Sequence, residues 1–388
     1  MKKVLFLTKC RFPYGDASSK RNMIFCNYFI DRSFSPFLIG MGDTEYKKEI
    51  YKDGANIVSL RKYKKPKNVI QKILNHLFSS KRIIDYAIKY HNDADVIIVD
   101  PRLYKIFRAK KASFKKAIII YTVVEFYSPS EYKFNGFFSK SYRDNYYFNT
   151  HLKPTDGKVI AISNYLKNHF LSKGIQTIRV PFVVDNTKTS IVQTSKQKTD
   201  NKIRFIYCGN PRSKDKLIDI LLAFCLLPNR LIEKTEIHIF GVSDKWLSEQ
   251  RIKEENKKTI SLFTIFHGYQ KYEDVIGYYK NCDFSLLLRP SSERYAMAGF
   301  PTKITESLEF GIPPITNFTS DLGIYLKDMI NSIQVNGDDI DSFKEALIKA
   351  FSLKEEKINE MKTAAKKASV DELDIRCFYK DFDTIVGQ

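Results

Sequence analysis

A short segment of the chain, FPTKITESLEFGIPPIT (residues 300–316), places charged residues at the start of a short helix. Proline suits the first helical position because its missing N–H has no partner there, so Pro301 predicts the beginning of the helix. Gly311, followed by two prolines, predicts its end after about ten residues. Lys303 and Glu306 share one face, in the first turns, where free N–H groups and the helix dipole attract anions. The pattern fits either an exposed ion pair or an anion-binding helix start.

A second candidate anion site is GNPRSKD, residues 209–215, which follows an apolar run. A glycine turn after a strand, with cations opening the next helix, is an arrangement that binds phosphate. The candidate cations here are Arg212, Lys214 and Lys216. A turn with solvated cations is the alternative.

The elements that must position these residues are predicted by unbroken apolar runs. In the first half they lie at 4–8, 36–40, 56–60, 96–100, 117–124 and 159–163, and in the second half at 203–209, 236–241, 262–268, 283–290 and 313–317. Such runs, separated by segments of helical length, are typical of strands buried on both faces of a parallel sheet. Ligands bind at the carboxyl ends of such strands, so two facing sheets predict a cleft for two substrates.

The polar, non-periodic stretch 186–202 is predicted to be a linker. We expect an amino-terminal α/β domain over 1–185 and a carboxy-terminal α/β domain over 203–370. A closing helix is expected over 371–388. The 388 residues are enough for two domains.

Composition narrows the class of protein. The chain is 43% hydrophobic and 28% charged, which is typical of a globular protein. Its six cysteines form no C-x-x-C pair, so neither a zinc framework nor a disulfide scaffold is indicated and a cytosolic location is expected. No apolar run reaches the roughly 18 residues that span a bilayer, and Lys9 interrupts the first run too early for a signal peptide.

The net charge of +20 calls for an anionic partner. Basic residues concentrate at 61–72 and 107–116, and an apolar stripe with helical spacing follows the first run, made of Val69, Ile70, Ile73, Leu74, Leu77 and Phe78. An apolar stripe flanked by lysines suits an anionic membrane surface. A helix packed on its own domain is the alternative. Nucleic acid is not expected, because no recognition motif accompanies the charge.

Five segments together resemble a known family, the retaining GT-B glycosyltransferases of family 4, and especially bacterial capsule and surface-polysaccharide members. They are VVEFYSP (123–129), GKVIAISNYLKNHF (157–170), YCGNPRSKDKLIDILLAF (207–224), FHGYQKYEDVIGYYKNCDFSLLLRP (266–290) and GFPTKITESLEFGIPPITN (299–317). The resemblance implies two Rossmann-like domains and a nucleoside diphosphate sugar as donor. It also implies that neither a metal nor another cofactor is needed.

The resemblance assigns roles to individual residues. Glu306 would hold the ribose hydroxyls, Lys303 would face the diphosphate, and Lys214 or Arg212 would neutralise the leaving diphosphate. Gly268 and Tyr269 would lie beside the base. The full set expected at the donor is Gly15, Gly209, Lys214, Gly268, Tyr269, Gly299, Phe300, Thr302, Lys303 and Glu306.

In the amino-terminal half, Gly15 resembles the family's glycine that approaches the donor from the opposite domain. Lys20 and Arg21 on the following helix are candidates for phosphate or acceptor, or form an ordinary helix start. Glu125, at the end of a buried strand, is a candidate base for the acceptor hydroxyl, a sugar-binding group or a structural acid. A protein nucleophile is not required, since the donor's own phosphate can accept the proton.

The sequence departs from the family at one position. Members often carry two glutamates in an E-x7-E pattern, and the first of these falls at Ala298. Glu293, or main-chain amides near Gly299 and Phe300, would then contact the donor sugar. Glu309 is expected to be a solvated helix residue.

A metal site is not expected. DAD at 93–95 mimics a metal-binding D-x-D motif, but it lies in a turn between a helix and a strand, where acids are common. The six histidines lack metal-ligand spacing, and His238 is expected to be a core or edge residue.

These observations predict a retaining glycosyltransferase. It would move a sugar from a nucleoside diphosphate sugar, with UDP expected, to a hydroxyl of a lipid-linked surface glycan. We expect it in the cytoplasm, at the inner face of the membrane. The alternatives are a UDP-sugar isomerase or epimerase on the same scaffold and a non-catalytic protein that binds the membrane surface.

Overall fold

The chain divides into two compact units, Met1–Val183 with Ile375–Gln388, and Val184–Asp374. The computed structural model describes residues 1–13, 15–42, 45–62, 66–132, 139–187, 200–211 and 214–388, without the side chains at 72, 73, 76, 77, 272 and 273. Most of the predicted linker, 188–199, lies outside these ranges. In place of one closing helix over 371–388, a 3-10 turn at Ile375–Phe378 leads into a helix at Tyr379–Val386.

The first unit is built on an eight-stranded sheet in the order β3-β4-β2-β1-β5-β6-β7-β8. All neighbours are parallel except β3, which runs antiparallel to β4. Each of the six predicted runs contains a strand, whereas β3 and β8 were not predicted. The strands are β1 (Lys2–Leu7), β2 (Phe34–Gly40), β3 (Glu49–Lys52), β4 (Ala55–Ser59), β5 (Val96–Val99), β6 (Ile118–Val123), β7 (Lys158–Ala161) and β8 (Thr177–Arg179).

Helices connect these strands, and side-chain caps fix where several of them begin. Asp16 and Ser19 form a capping box at the start of the first helix, and Asn68 caps the second. The helices are α1 (Ala17–Asp31), α2 (Val69–His91), α3 (Tyr104–Lys110), α4 (Lys140–His151) and α5 (Asn164–Leu171).

The second unit has a six-stranded sheet in the order β11-β10-β9-β12-β13-β14, and all its pairs are parallel. The five predicted runs each contain a strand, and β14 was not predicted. The strands are β9 (Ile203–Cys208), β10 (Thr235–Phe240), β11 (Thr264–Gly268), β12 (Phe284–Leu287), β13 (Pro314–Thr316) and β14 (Ile333–Gln334).

The helices of the second unit cover both faces of this sheet, as expected where the strands are buried on both sides. They are α6 (Leu217–Cys225), α7 (Asn229–Ile232), α8 (Asp244–Ser248), α9 (Glu254–Phe263), α10 (Tyr272–Tyr279), α11 (Arg294–Ala298), α12 (Thr302–Glu309), α13 (Leu322–Tyr325), α14 (Ile340–Ser352) and α15 (Glu355–Glu372).

The last helix, α16 (Tyr379–Val386), packs on the first unit. The Phe382 ring lies 5.0 Å from that of Phe25 and 4.7 Å from that of Tyr28, centroid to centroid. Asp383 accepts hydrogen bonds of 2.9 Å from the Tyr28 hydroxyl and from the Arg32 guanidinium. Aromatic packing and a partly buried ion pair therefore fix the end of the chain to α1.

His91, at the end of α2, makes the stability of the first unit dependent on pH. Its ring is buried, packs 4.3 Å from the Phe37 ring, and leaves Nδ1 without a hydrogen-bond partner among the described residues. Burial, and then the Lys3 cation, lower the pKa of His91 to about 4. The unfolded chain therefore takes up this proton first, and stability is lost as the pH falls below about 6.5 towards 4.

We expect the His91→Phe variant to lose less stability in acid than the wild type. Between about pH 7.5 and about pH 4.5 the wild type should lose about 2 kcal/mol of unfolding free energy through this group, because protonated imidazole is excluded from the packed site. Phenylalanine keeps the ring and does not titrate. Urea unfolding at the two pH values measures the difference, and an equal loss in both proteins would contradict the assignment.

Candidate active site

The loop after β9 lies against the start of α12. Gly209 has a φ of +131°, and a Cβ there would lie 2.8 Å from Cε of Lys303. Gly241, after the neighbouring strand β10, has a φ of +93°, and a Cβ there would lie 2.7 Å from the Gly209 carbonyl carbon. The two glycines therefore allow the carboxyl ends of adjacent strands and the first turn of α12 to approach closely.

Lys303 forms an ion pair with Asp215, which lies 88 residues away in the sequence. The Lys303 ammonium is 2.8 Å from Oδ2 of Asp215, and Nε of Arg289 lies 3.1 Å from Oδ1. The Tyr207 hydroxyl donates to Oδ2 at 2.8 Å. The Asp215 side chain is 2% exposed. Two cations thus meet one buried carboxylate, and the cluster keeps one positive charge.

The electrostatics of this cluster maintain its charges. Burial disfavours the charged form of Asp215, but Lys303 and then Arg289 hold the pKa of that carboxyl below its ordinary value. Burial, followed by the Asp215 charge, raises the pKa of Tyr207, so its hydroxyl stays protonated and donates. The Lys303 ammonium is therefore held in one place by an ionised partner.

Glu306 lies near the same strand end as Lys303. The pKa of the Cys208 thiol, at the last position of β9, is raised to about 12 by burial first and also by the Glu306 carboxylate. Lys303 acts on the same thiol in the opposite direction. The structure therefore brings Gly209, Lys303 and Glu306 together at the carboxyl end of β9.

The helix that carries these residues differs in its bounds from the prediction. Pro301 is the N-cap, with φ of −72° and ψ of 116°, and α12 runs for eight residues from Thr302. Gly311 has a φ of +68°, which fits its expected role in ending the helix. The prediction that Glu309 is solvated is wrong. Its side chain is buried where α12 packs on α15.

Lys214, a candidate cation of the glycine loop, lies beside α11. Its carbonyl accepts a hydrogen bond of 3.2 Å from the Tyr295 hydroxyl, and its ammonium lies 5.9 Å from the centroid of that ring. Lys216 points elsewhere, since its ammonium pairs with Asp219 at 3.2 Å and with Asp338. Arg212 lies outside the described residues.

The remaining candidates for donor binding lie in different surroundings. Gly268 ends β11 with a φ of +64°, and a Cβ there would meet nothing within 4 Å. The Tyr269 side chain beside it is 91% exposed. The Gly299 amide donates to the Tyr295 carbonyl at 3.0 Å, and Phe300 is buried against the Tyr325 ring. The Gly299 amide therefore already has a partner within the protein.

Ala298, at the departure from the family pattern, is fully buried. Glu293 is the N-cap residue of α11, and its carbonyl accepts from the Ala296 amide at 3.0 Å. The Ala298 side chain is therefore a core methyl group.

Sequence reasoning missed two members of the cluster, Asp215 and Arg289. Arg289 follows β12, and its main chain is fixed by Asn317, which accepts from the Arg289 amide at 3.1 Å and donates to its carbonyl at 2.7 Å. Both residues belong to segments that carry the family resemblance. The sequence pattern that could have indicated them is a charged residue that follows a buried strand, as Arg289 does, or lies in a glycine loop, as Asp215 does.

In the first unit, Glu125 lines a cavity of about 240 Å³ at the carboxyl ends of β1, β5 and β6, together with Arg21. The Tyr127 hydroxyl donates to the Glu125 carboxylate at 2.6 Å, and Nδ2 of Asn145 donates to the Glu125 carbonyl at 2.8 Å. Burial and then the Glu125 charge raise the pKa of Tyr127. The carboxylate is therefore anchored by a neutral phenol at the cavity wall.

Gly15 and Arg21 have structural roles in the helix entry. The Gly15 amide donates to the Arg11 carbonyl at 2.7 Å, and a Cβ at Gly15 would lie 2.6 Å from that oxygen, so the turn requires glycine. Arg21 is buried, donates to the Val180 carbonyl at 3.0 Å and lies 4.4 Å from the Phe25 ring centroid. Lys20 is half-buried on the same helix.

The acids at 93–95 have structural partners. The Asp93 carboxylate binds the Lys3 ammonium at 2.7 Å, and Asp95 accepts from the Lys3 amide at 2.7 Å. Both acids therefore fix the start of β1. Within the residues that the structure describes, no group of three or more His, Cys, Asp and Glu side chains could hold a metal ion.

Solved structures with the same fold cover nearly all of the chain. They include sucrose-phosphate synthase from Thermosynechococcus elongatus, with a TM-score of 0.74 at 11% identity, covering 100% of this chain and 99% of that one. A glycosyltransferase from Rickettsia africae has a TM-score of 0.67 at 15% identity, covering 99% and 97%. HepE from Anabaena, in complex with UDP-glucose, has a TM-score of 0.66 at 12% identity, covering 100% of both chains. The fold is therefore GT-B, made of two α/β units with mostly parallel sheets.

A family model narrows the class further. Residues 189–368 match the model described as "Glycosyl transferases group 1". The matched stretch includes the whole Asp215 cluster and Glu306, and it indicates a glycosyltransferase. None of the curated proteins matches the sequence.

Replacing Asp215 with asparagine should destabilise the second unit by about 3 kcal/mol, because removal of one partner leaves buried cations uncompensated. The Lys303 and Arg289 side chains are only 18% and 12% exposed. Urea unfolding of the full chain measures the change.

Asp219→Asn is the matched control. Its side chain is 30% exposed, and its partner Lys216 keeps Asp338. We expect a change within about 0.5 kcal/mol. Equal effects of the two substitutions would contradict the central position given to Asp215.

Proposed function

We propose that the chain is a retaining glycosyltransferase of the family 4 type. It transfers a sugar from a nucleoside diphosphate sugar, with UDP as the expected nucleotide, to a hydroxyl of a surface glycan such as a capsular polysaccharide. The observation that carries the proposal is the Lys303–Asp215–Arg289 cluster at the start of α12, beside Glu306. The cluster lies inside the stretch that matches group 1 glycosyl transferases.

The charge at this position suits a diphosphate. The cluster keeps one positive charge beyond the Asp215 carboxylate, and the first turn of α12 adds the positive end of the helix dipole. A diphosphate that leaves the sugar gains negative charge, and fixed cations stabilise it without reorganisation. Lys214 and Arg212 are proposed to add to this stabilisation. No metal is required in this scheme.

Glu306 is proposed to bind the ribose. A carboxylate that accepts from two vicinal hydroxyls forms charge-assisted hydrogen bonds, which are about twice as strong as neutral ones. Its position beside the end of β9 puts it within one helical turn of Lys303. UDP is favoured as the nucleotide because HepE, which shares the fold, binds UDP-glucose.

Glu125 is proposed to position the acceptor. It lines a cavity at the carboxyl ends of the first sheet, where ligands of open α/β sheets bind. In a retaining reaction the donor's phosphate accepts the proton of the acceptor hydroxyl. The anchored carboxylate would then orient that hydroxyl.

The first test is a thermal-shift panel of UDP, GDP, ADP and CDP on the wild type and on Glu306→Gln, with and without EDTA. We expect UDP to raise the melting temperature of the wild type and EDTA to leave this unchanged. The variant should bind UDP about tenfold more weakly, because it loses a charge-assisted contact to the ribose. Glu345→Gln, on the exposed face of α14, is the control and should respond like the wild type.

Other outcomes distinguish the alternatives. If the protein converts a UDP-sugar into an isomer in the absence of any acceptor, the isomerase or epimerase alternative replaces the proposed glycosyl transfer. A wild type that responds to no nucleotide would favour a non-catalytic binding protein. If UDP raises the melting temperature of Glu306→Gln as much as that of the wild type, Glu306 does not bind the ribose.

Association with the inner face of the membrane is proposed for the start of α2. Val69 and Ile70 are 70% and 67% exposed, and Leu74 and Phe78 lie exposed on later turns. The side chains of Ile73 and Leu77, the other two residues of the apolar stripe, are not among those that the structure describes. No helix among the described residues is long and apolar enough to cross a bilayer. Basic residues before an apolar helix face would place the enzyme at an anionic surface that carries a lipid-linked acceptor.

The second basic run, 107–116, contributes less to such a surface because three of its five cations are engaged within the unit. Arg108 pairs with Asp156 at 3.3 Å, and the Lys110 ammonium pairs with Asp85. The Lys111 ammonium donates to the Thr155 carbonyl. The start of α2 is therefore the better candidate for the membrane-facing surface.

Vesicle sedimentation tests the membrane surface. The wild type should bind vesicles of phosphatidylglycerol and phosphatidylcholine. The double variant Ile70→Ser with Phe78→Ser should bind at least about tenfold more weakly, since each exposed apolar side chain contributes about 1.5 kcal/mol or more when buried. Leu262→Ser with Ile348→Ser removes two exposed apolar side chains elsewhere and is the control. Equal binding by both variants would contradict the assignment to α2.

A further inference from the structure

A second cavity of the first unit, of about 460 Å³, has five cationic side chains among its described lining residues. Lys9 and Arg11 enter it from the loop after β1, Arg61 from the loop after β4, and Lys140 from the start of α4. The cavity therefore lies at the carboxyl ends of the strands, where ligands bind in open α/β sheets. Its volume is within the range of about 300–1,000 Å³ of small-molecule sites.

The charges in this cavity are only partly balanced. Arg102 also lines it and is held by Asp100, with Nη2 2.5 Å from Oδ2. The Lys140 ammonium pairs with Asp144, which is the one carboxylate among the described lining residues. Of the other cations, Lys9 and Arg11 form no ion pair with a described carboxylate, although the charges of Asp100 and Asp144 favour the charged form of Lys9.

The surroundings of Lys9 make this imbalance unfavourable. Its amide donates to Asp100 at 3.2 Å, which fixes its main chain, and its side chain is half-buried. Burial, and then the Lys140 cation, lower the pKa of Lys9 to about 8. A desolvated ammonium among other cations is stabilised by a counter-ion. The cavity is therefore suited to an anion.

We propose that this cavity binds a phosphate group of the acceptor substrate, with Lys9 and Arg11 as its principal ligands. The identification of the ligand as the acceptor rests on the proposed function. The binding of an anion in this cavity does not depend on it. Two cations that form no ion pair with a described carboxylate match a phosphate dianion better than a carboxylate monoanion. Arg102 and Ser141 line both this cavity and the one that contains Glu125. A phosphate bound here would therefore place the neighbouring part of the acceptor beside Glu125.

The test measures binding of phenyl phosphate to the full chain at constant ionic strength and with saturating UDP, so that any diphosphate site is already occupied. We expect Lys9→Gln and Arg11→Gln each to weaken binding about tenfold, because each loses a charge-assisted hydrogen bond. Lys116→Gln, an exposed lysine outside the cavity, should bind like the wild type. Glucuronate, a carboxylate of similar size, should bind more weakly than phenyl phosphate.

Equal phosphate affinity in the wild type, Lys9→Gln and Arg11→Gln would overturn the site. Glucuronate binding as tightly as phenyl phosphate would overturn the assignment to phosphate. If the protein binds no UDP, the proposed function is contradicted. The phosphate site can still be tested in that case, because the binding of phenyl phosphate is measured directly. Lys9→Gln removes a desolvated charge, so the melting temperature of this variant should not fall. An unchanged melting temperature distinguishes a loss of phosphate binding from a folding defect.

Discussion

The buried carboxylate of Asp215 is the interaction on which the candidate donor site depends. It holds two cations from loops and helices far apart in sequence, Lys303 from α12 and Arg289 from the end of β12. A lone buried charge would be strongly unfavourable, so the three groups are stable only together. Their common position fixes the start of α12, and hence Glu306, against the glycine turn at Gly209.

The first unit uses the same principle with a different outcome. Asp100, after β5, holds Arg102 and accepts from the amide of Lys9, which fixes the loop after β1. Here the carboxylate pairs with one guanidinium, and no ion pair joins the Lys9 ammonium to a described carboxylate. In both units an acid at a strand end positions cations. The second unit pairs its central lysine with a buried carboxylate, whereas the first unit presents a lysine for which we propose a phosphate ligand.

The edges of the two sheets were the least predictable part of the fold. Strands buried on both faces read as unbroken apolar runs, and every such run contains a strand. The edge strands β3, β8 and β14 did not have this pattern. β3 is an exposed antiparallel edge strand, and β14 has only two residues, Ile333 and Gln334, so neither carries enough residues of one type to show periodicity. Such a short segment forms a strand only when an adjacent strand is placed to hydrogen-bond with its backbone.

By itself, the sequence determined the alternation of strands and helices, the glycine loop after β9, and the position of Lys303 and Glu306 on one short helix. These are local properties, set by residue periodicity and by proline and glycine. The tertiary structure decided that Lys303 pairs with Asp215, that Arg289 joins them, and that Glu309 is buried. These contacts depend on the strand order β9-β12-β13 and on burial, which bring together residues that local sequence patterns do not connect.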